Sequence, residues 1–111
     1  MPEYVPRKGD FLAVTFDPQS GHEQRGRRPA LVVSNDLFNR HTGLAIVCPI
    51  TNTDRGMPFH VAIPKAREVT GFVMVEQAKS IDFRARKATL IGRASEALQS
   101  EVLAILDACI F

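Results

Sequence analysis

Short apolar runs separated by polar turns dominate the chain, and they predict strands. The run DFLAVTF, from Asp10 to Phe16, is followed by DPQSG, so a first strand should end there in a turn. The run PALVVS predicts a second strand that opens at Pro29, because proline is tolerated at the first residue of a strand. LAIVCPIT, from Leu44 to Thr51, is continuously apolar and predicts a strand buried on both faces.

The pattern is less regular in the second half of the chain, but it still favours strands. FHVAI alternates and places Phe59, Val61 and Ile63 on one side, and GFVMVEQ, from Gly71 onwards, predicts a further buried strand. KSIDF and ATLIG predict two short strands on either side of the basic stretch RARK. Residues 17 to 28 are polar without periodicity and predict an exposed loop.

Two segments carry helix signals. SNDLFNRHTG offers Ser34 or Asn35 as an N-cap and Gly43 as a stop, and it predicts a short helix or a turn. Ser95 is the predicted N-cap of a longer C-terminal helix whose apolar residues share one face: Leu98, Val102, Ile105, Leu106 and Cys109. Five to seven short strands with such a helix predict a mainly β (α+β) fold, in which a small barrel or strongly curved sheet is covered by the helix.

Composition narrows the possible classes of protein. The 111 residues, 45% of them apolar, predict one globular domain over residues 1–111. Neither a membrane span nor a signal peptide is expected. Cys48 and Cys109 are the only cysteines, so no disulfide framework is expected and the cytoplasm is the predicted compartment. The cysteines and three histidines lack metal-ligand spacing, and we expect no metal and no cofactor.

The charge is unevenly distributed although the net charge is only +2. Between Lys79 and Arg93 there are five basic residues and one acid, whereas residues 94–111 carry three acids and no base. Ten of the 14 basic residues are arginine, whose planar fork suits phosphate. The stretch KSIDFRARK can therefore follow a nucleic-acid backbone. Phe83 within it either stacks on a base or, as is more usual, belongs to the core.

Arg28 is the first candidate for chemistry. The residue before a proline is restricted to extended geometry, so Arg28 should leave its loop in a preorganised conformation. Such an arginine can grip a phosphate or stabilise charge that develops on one, and the alternative is a solvated basic turn. Thr51, at the end of a predicted buried strand, is either a ligand contact or a turn former, and so is Asn52. Glu23 is either a general base or the ion-pair partner of an arginine.

The remaining candidates favour structural interpretations. His22, His41 and His60 form no evident acid–base pair, and each is interpreted as a surface residue. Cys48 lies in an apolar run and is interpreted as a buried, unreactive thiol. The sequence contains no Ser/His/Asp order, no phosphate-binding glycine loop and no Cys-x-x-Cys.

Six motifs, in this order, resemble those of the MazF/PemK (Kid-like) toxins of bacterial toxin–antitoxin pairs over nearly the whole chain. They are RKGDFLAVTFDP, GHEQRGRRPALVVSND, TGLAIVCPIT, MPFHVAI, EQAKSIDFRAR and the closing amphipathic helix. The resemblance implies an SH3-like barrel with a C-terminal helix (PemK/CcdB-like) and a homodimer. It also implies a type II toxin that is a metal-independent, sequence-specific endoribonuclease of single-stranded RNA, with mRNA as the expected target.

The resemblance also implies partners and roles for individual residues. The cognate partner would be a MazE-like antitoxin, DNA would be reached only through it, and cleavage would leave 2′,3′-cyclic phosphate and 5′-OH ends. Arg28, Thr51 and Glu23 would be the catalytic residues. The residues expected to contact RNA are Gln24, Arg25, Arg27, Asn52, Gln77, Lys79, Arg84 and Arg86, although the resemblance itself assigns no role to Arg27. DFRAR departs from the DKxRL ending of many family members.

Two other classes of protein remain to be compared with the nuclease. CcdB-type toxins share the barrel-and-helix architecture and poison a DNA topoisomerase without catalysis, but they rely on a tryptophan near the chain end. This chain has no tryptophan and ends in ACIF. A non-catalytic SH3-like binding module would leave the EQRGRRP and PIT motifs unexplained.

Overall fold

Seven antiparallel strands and two helices organise the parts of the chain that the computed structural model describes, residues 3–16, 27–64 and 68–111. The strands are β1 (Asp10–Thr15), β2 (Arg27–Val32), β3 (Leu44–Thr51), β4 (His60–Ala62), β5 (Phe72–Met74), β6 (Lys79–Asp82) and β7 (Thr89–Arg93). The helices are α1 (Asp36–Thr42) and α2 (Glu96–Ile110), and a 3₁₀ turn spans Val75–Gln77.

The sheet runs in the order β4-β5-β3-β2-β1-β7, with β6 paired to β3 beside this path. Residues 44–47 of β3 pair with β6 and residues 47–49 pair with β2, so the two ladders share Val47. The predicted fold class, a mainly β domain of five to seven strands with a C-terminal helix, is confirmed. Because the path begins at β4 and ends at β7, the sheet is not closed into a continuous barrel within the described residues.

Two apolar clusters bury both faces of the central strands. Phe11 and Leu31 belong to one cluster, which α2 completes with Leu98 and Val102. Neighbouring strand residues point the other way and build a second cluster, in which the side chain of Phe83 is only 2% exposed. Phe83 is thus a core residue, as the more usual of its two interpretations predicted.

The predicted helix boundaries are confirmed by their caps. The Asn35 side chain accepts a hydrogen bond from the Phe38 N–H at 2.9 Å, and Gly43 ends α1 in the left-handed region with φ of 73°. The Ser95 hydroxyl accepts from the Leu98 N–H at 3.1 Å. Each cap satisfies a backbone N–H or C=O that the helix itself leaves without a partner.

The predicted start of β2 is wrong by two residues. The strand begins at Arg27, and Pro29 lies inside it, opposite Ala13 of β1. Pairing of β2 with β3 begins only at Ala30, so among the described residues Pro29 lies in a stretch of β2 that is paired on one edge alone, where its missing N–H is tolerated. Arg28 therefore belongs to the strand and not to the preceding loop.

The predicted strand from Gly71 to Gln77 is too long. β5 ends at Met74, and the chain continues into the 3₁₀ turn, in which the Ala78 N–H donates to the Val75 carbonyl at 3.2 Å. Val75 is buried in the core. An apolar residue that anchors a buried turn cannot be distinguished by periodicity from one that continues a strand.

Asp10 is a buried carboxylate at the start of β1, only 2% exposed. It accepts hydrogen bonds from the Tyr4 hydroxyl at 2.5 Å and the Arg7 N–H at 3.0 Å, and it pairs with Arg93 of β7 at 2.7 Å. The pKa of Tyr4 is raised above its usual range, mainly because the hydroxyl is buried and secondly because it donates a hydrogen bond to Asp10. Through Asp10, these contacts connect the residues before β1 with β7, the strand at one end of the sheet.

Cys48 is buried in β3, as its interpretation as a buried thiol predicts. Burial raises the pKa of the Cys48 thiol to about 12, so Cys48 stays protonated and unreactive, and neither it nor Cys109 is in a disulfide. No described helix is long and apolar enough to cross a membrane.

Candidate active site

A cavity of about 470 Å³ opens where β3 separates from β2. The pairing of these strands ends at Ala30 and Pro49, beyond which β2 continues alongside β1 whereas Thr51 pairs with Phe72 of β5. Side chains from β2, β3, β4, β5, the loop after β3 and the 3₁₀ turn line the gap: Arg28, Thr51, Arg55, Met57, His60, Met74, Glu76 and Gln77. The volume falls within the range of small-ligand pockets, about 300–1,000 Å³.

Arg28 reaches the cavity from a regular strand. Its backbone pairs with Val14, which is fully buried in β1, so the base of the side chain is held by the sheet. A guanidinium on a rigid element is better preorganised for an anionic ligand than one at the tip of a loop.

Arg27 is directed elsewhere, because successive residues of a strand point to opposite faces. Its guanidinium donates to the carbonyl oxygens of Ala13 at 2.7 Å and Lys87 at 2.5 Å. It also donates to the hydroxyls of Thr15 at 3.3 Å and Thr89 at 3.0 Å. Arg27 thus joins the beginning of β2 to β1 and β7 and does not line the cavity.

Thr51 is the last residue of β3, and its surroundings require a glycine. Its hydroxyl accepts from the Thr53 N–H at 3.1 Å and can still donate to a ligand, because a hydroxyl does both. Gly71 beside it has φ of +115°, and a Cβ there would come within 2.3 Å of the Thr51 carbonyl oxygen. Gly71 thereby allows β5 to approach the end of β3 closely.

His60 and Glu76 form a pair in the cavity wall that the sequence analysis missed. His60 lies opposite Met74 in the β4–β5 ladder, and the 3₁₀ turn brings Glu76 back until its Oε2 lies 3.0 Å from His60 Nε2. The His60 side chain is 4% exposed, so its interpretation as a surface residue is wrong. Alternation in FHVAI placed His60 away from the core, but the turn covers that face of β4.

The other predicted catalytic and RNA-contacting residues are dispersed. Glu23, Gln24 and Arg25 lie outside the described residues. Of the rest, Gln77 alone joins Arg28 and Thr51 in the cavity lining. Arg55, which also lines it, was not singled out in the sequence, although it is a basic residue in the loop that follows Thr51.

The remaining predicted RNA contacts interact with neighbouring parts of the protein. Arg84 pairs with Glu3 at 2.7 Å, and Arg86 donates to the Thr15 carbonyl at 3.2 Å. The Lys79 ammonium lies 4.9 Å from the centre of the Phe16 ring, and Asn52 accepts from the Thr70 hydroxyl at 3.1 Å. These side chains lie outside the cavity, so any contact they make would be with RNA that extends beyond it.

The chemistry of the cavity suits a phosphate with an attached base. Two arginines and a threonine hydroxyl can hold phosphate oxygens, while a carboxylate and an amide can meet the edge of a base. Within the described residues, no three His, Cys, Asp or Glu side chains come together as a metal site would require. The expectation of a metal-free reaction stays a prediction.

Comparisons of the sequence and of the structure with known proteins point to the same family of toxins. Residues 7–110 match the family of PemK-like, MazF-like toxins of type II toxin–antitoxin systems. The endoribonuclease toxin MazF of Escherichia coli K12 is 44% identical over 97 residues, 86% of each protein. The endoribonuclease toxin ChpB of the same strain is 42% identical over 108 residues, 93% of this chain and 92% of ChpB.

Solved structures from Deinococcus radiodurans have the same fold. MazF in one crystal form superposes with a TM-score of 0.88 at 40% identity, covering 97% of this chain and 98% of that one. A MazE–MazF complex gives a TM-score of 0.87 at 34% identity, covering 97% of both chains.

Proposed function

Because the chain belongs to the PemK-like, MazF-like toxins of type II toxin–antitoxin systems, we propose that it is a metal-independent endoribonuclease that cuts single-stranded RNA at short preferred sequences. The relatives ChpB and MazF bear the name endoribonuclease toxin, and they favour the nuclease over a topoisomerase poison of the CcdB type. The observation that carries the proposal is the convergence of Arg28 and Thr51, from two diverging strands, on one cavity.

The proposed reaction uses a nucleophile that the substrate provides. The ribose 2′-OH attacks the adjacent phosphorus, the bond to the 5′ oxygen of the next nucleotide breaks, and a 2′,3′-cyclic phosphate and a 5′-OH remain. No protein nucleophile is needed, which agrees with the buried, protonated state of Cys48. The protein must stabilise the charge that builds on the phosphate oxygens in the transition state.

Arg28 is the proposed source of that stabilisation. Its guanidinium can donate two parallel hydrogen bonds to a phosphate, which places positive charge against the developing negative charge. Arginine is a very weak acid, so charge stabilisation outweighs any transfer of its proton to the leaving oxygen. Thr51 would donate its hydroxyl hydrogen to another phosphate oxygen. Glu23 would orient Arg28 or accept the 2′-OH proton.

The proposal extends to partners, assembly and compartment. We propose that residues 1–111 act as one toxin domain in the cytoplasm, as a homodimer, and that a MazE-like antitoxin inhibits it. A cavity that contains Arg28 and Arg55 would attract an acidic antitoxin segment by the same electrostatics that attract RNA. DNA would be contacted only through the antitoxin.

The proposal is tested by incubating the purified protein with mixed-sequence RNA in EDTA and then sequencing the fragment ends. Discrete cuts with 5′-OH and cyclic phosphate ends are expected. Cuts that require added Mg²⁺ would contradict the metal-free mechanism. Intact RNA together with inhibition of DNA gyrase would overturn the nuclease and favour the topoisomerase poison.

A further inference from the structure

The hydrogen bond from His60 fixes the Glu76 carboxylate in one orientation. A carboxylate only accepts, so the hydrogen of the 3.0 Å contact between His60 Nε2 and Glu76 Oε2 belongs to the imidazole. His60 Nδ1 is buried and has no hydrogen-bond partner among the described residues. The donated hydrogen is therefore on Nε2, the ring nitrogen that faces the carboxylate.

Glu76 is nevertheless open to a ligand. Its side chain is 25% exposed and lines the cavity beside Gln77, whereas that of His60 is only 4% exposed behind it. Met57, which is 38% exposed, and Met74 line the same space. Methionine sulfur makes favourable contacts with aromatic rings, so these side chains provide apolar contacts for a flat base.

Building on the proposed nuclease function, we propose that Glu76 reads the edge of the base next to the cleaved phosphate and selects a base that carries an amino group. Adenine, cytosine and guanine each present N–H hydrogens of an amino group to a carboxylate. Uracil presents carbonyl oxygens on both sides of its one N–H, and these oxygens repel the carboxylate. The subsite therefore accepts the three amino-bearing bases and disfavours uracil.

Glu76 lies in the same cavity as the residues proposed to hold the cleaved phosphate. Arg28 and Thr51 line the same cavity as Glu76, so a phosphate held by them would keep the attached base inside the space that Glu76 faces. His60 is a positioning residue in this arrangement, since it acts on the base only through the carboxylate that it orients.

The inference is tested by cutting mixed-sequence RNA with wild-type protein and with Glu76→Gln, and by comparing the bases found at the fragment ends. Wild-type cuts should be depleted in uracil at one position beside the cut. The glutamine amide can donate to a uracil oxygen, so the variant should raise uracil at that position by about 10- to 100-fold relative to the other bases. Glu101→Gln removes the same charge from the exposed surface of α2 and should leave the preference unchanged.

Two variants of His60 separate positioning from folding. His60→Gln retains an N–H donor and should keep the wild-type preference. His60→Leu leaves the carboxylate without its orienting hydrogen bond and should weaken the discrimination against uracil, though less than Glu76→Gln does. Thermal unfolding is recorded for each variant. Slower cutting by Glu76→Gln at every site with no change of preference would overturn the inference but leave the nuclease standing. Wild-type protein that cuts no RNA would overturn the proposed function and this inference with it.

Discussion

Arg27 and Arg28 are adjacent in the sequence, yet β2 directs them to opposite sides of the sheet. Arg27 donates to four acceptors on β1, β7 and the turn before β7, and it serves the fold. Arg28 lines the cavity with Thr51 and is the proposed catalytic group. Strand alternation thus gives adjacent arginines different surroundings, so residue type and proximity in the sequence do not assign their roles.

Replacement of Arg28 should have the largest effect. Arg28→Ala removes the proposed stabilisation of transition-state charge, and by analogy with the loss of one oxyanion donor it should slow cleavage about 10²- to 10³-fold. Single-turnover rates on one RNA measure this. Arg28→Lys keeps the charge but not the fork and should recover only part of the rate. An Arg28→Ala protein that cuts at the wild-type rate would remove Arg28 from the mechanism.

Arg27→Ala should have the opposite effect to Arg28→Ala. It should reduce the stability of the fold more than it slows cleavage. The variant leaves two backbone carbonyls and two hydroxyls without this donor, and because Arg27 is exposed, water replaces part of the loss. The free energy of unfolding in urea should fall by about 1–2 kcal/mol. Unchanged stability combined with a rate as low as that of Arg28→Ala would end the distinction between the two arginines.

Thr51→Val tests the partner of Arg28 at nearly constant volume. The loss of one neutral hydrogen bond to a phosphate oxygen should slow cleavage about 2- to 10-fold, measured in the same single-turnover assay. Thr53→Val is the matched control, since Thr53 does not line the cavity. Equal rates for Thr51→Val and wild type would show that this hydroxyl does not contact the phosphate.

The smallest effect is expected at an exposed arginine, Arg84. Its ion pair with Glu3 joins side chains that are 60% and 65% exposed, so water and salt screen it. Glu3→Gln should change the free energy of unfolding by less than about 1 kcal/mol, and less still in high salt. A larger loss would place Arg84 with Arg27 as a structural residue.

Much of the fold could be predicted from local patterns. The caps at Asn35, Gly43 and Ser95 and the periodicity of α2 depend on neighbouring residues, and the structure agrees with them. The start of β2 could not be predicted, because a proline inside a strand is acceptable only where one edge is unpaired, and the unpaired edge depends on the position of β3.

The candidate site also contains residues that local sequence could predict and residues that it could not. Arg28 and Thr51 stand out locally, one before a proline and the other at the end of an apolar run, and the family resemblance selected the same positions. The contact between His60 and Glu76 spans 16 residues and depends on a turn where the sequence pattern predicts a strand. Pairings of this kind follow from topology, which a single sequence does not display.

A crystal structure of the protein with an uncleavable RNA tests the central claim most directly. The RNA would carry 2′-deoxyribose at the nucleotide whose 2′-OH attacks, so that binding is kept and cleavage is blocked. The predicted result is a scissile phosphate between the Arg28 guanidinium and the Thr51 hydroxyl, within about 2.7–3.2 Å of each. A scissile phosphate on the Arg27 side of the sheet, or away from the gap between β2 and β3, would contradict the account.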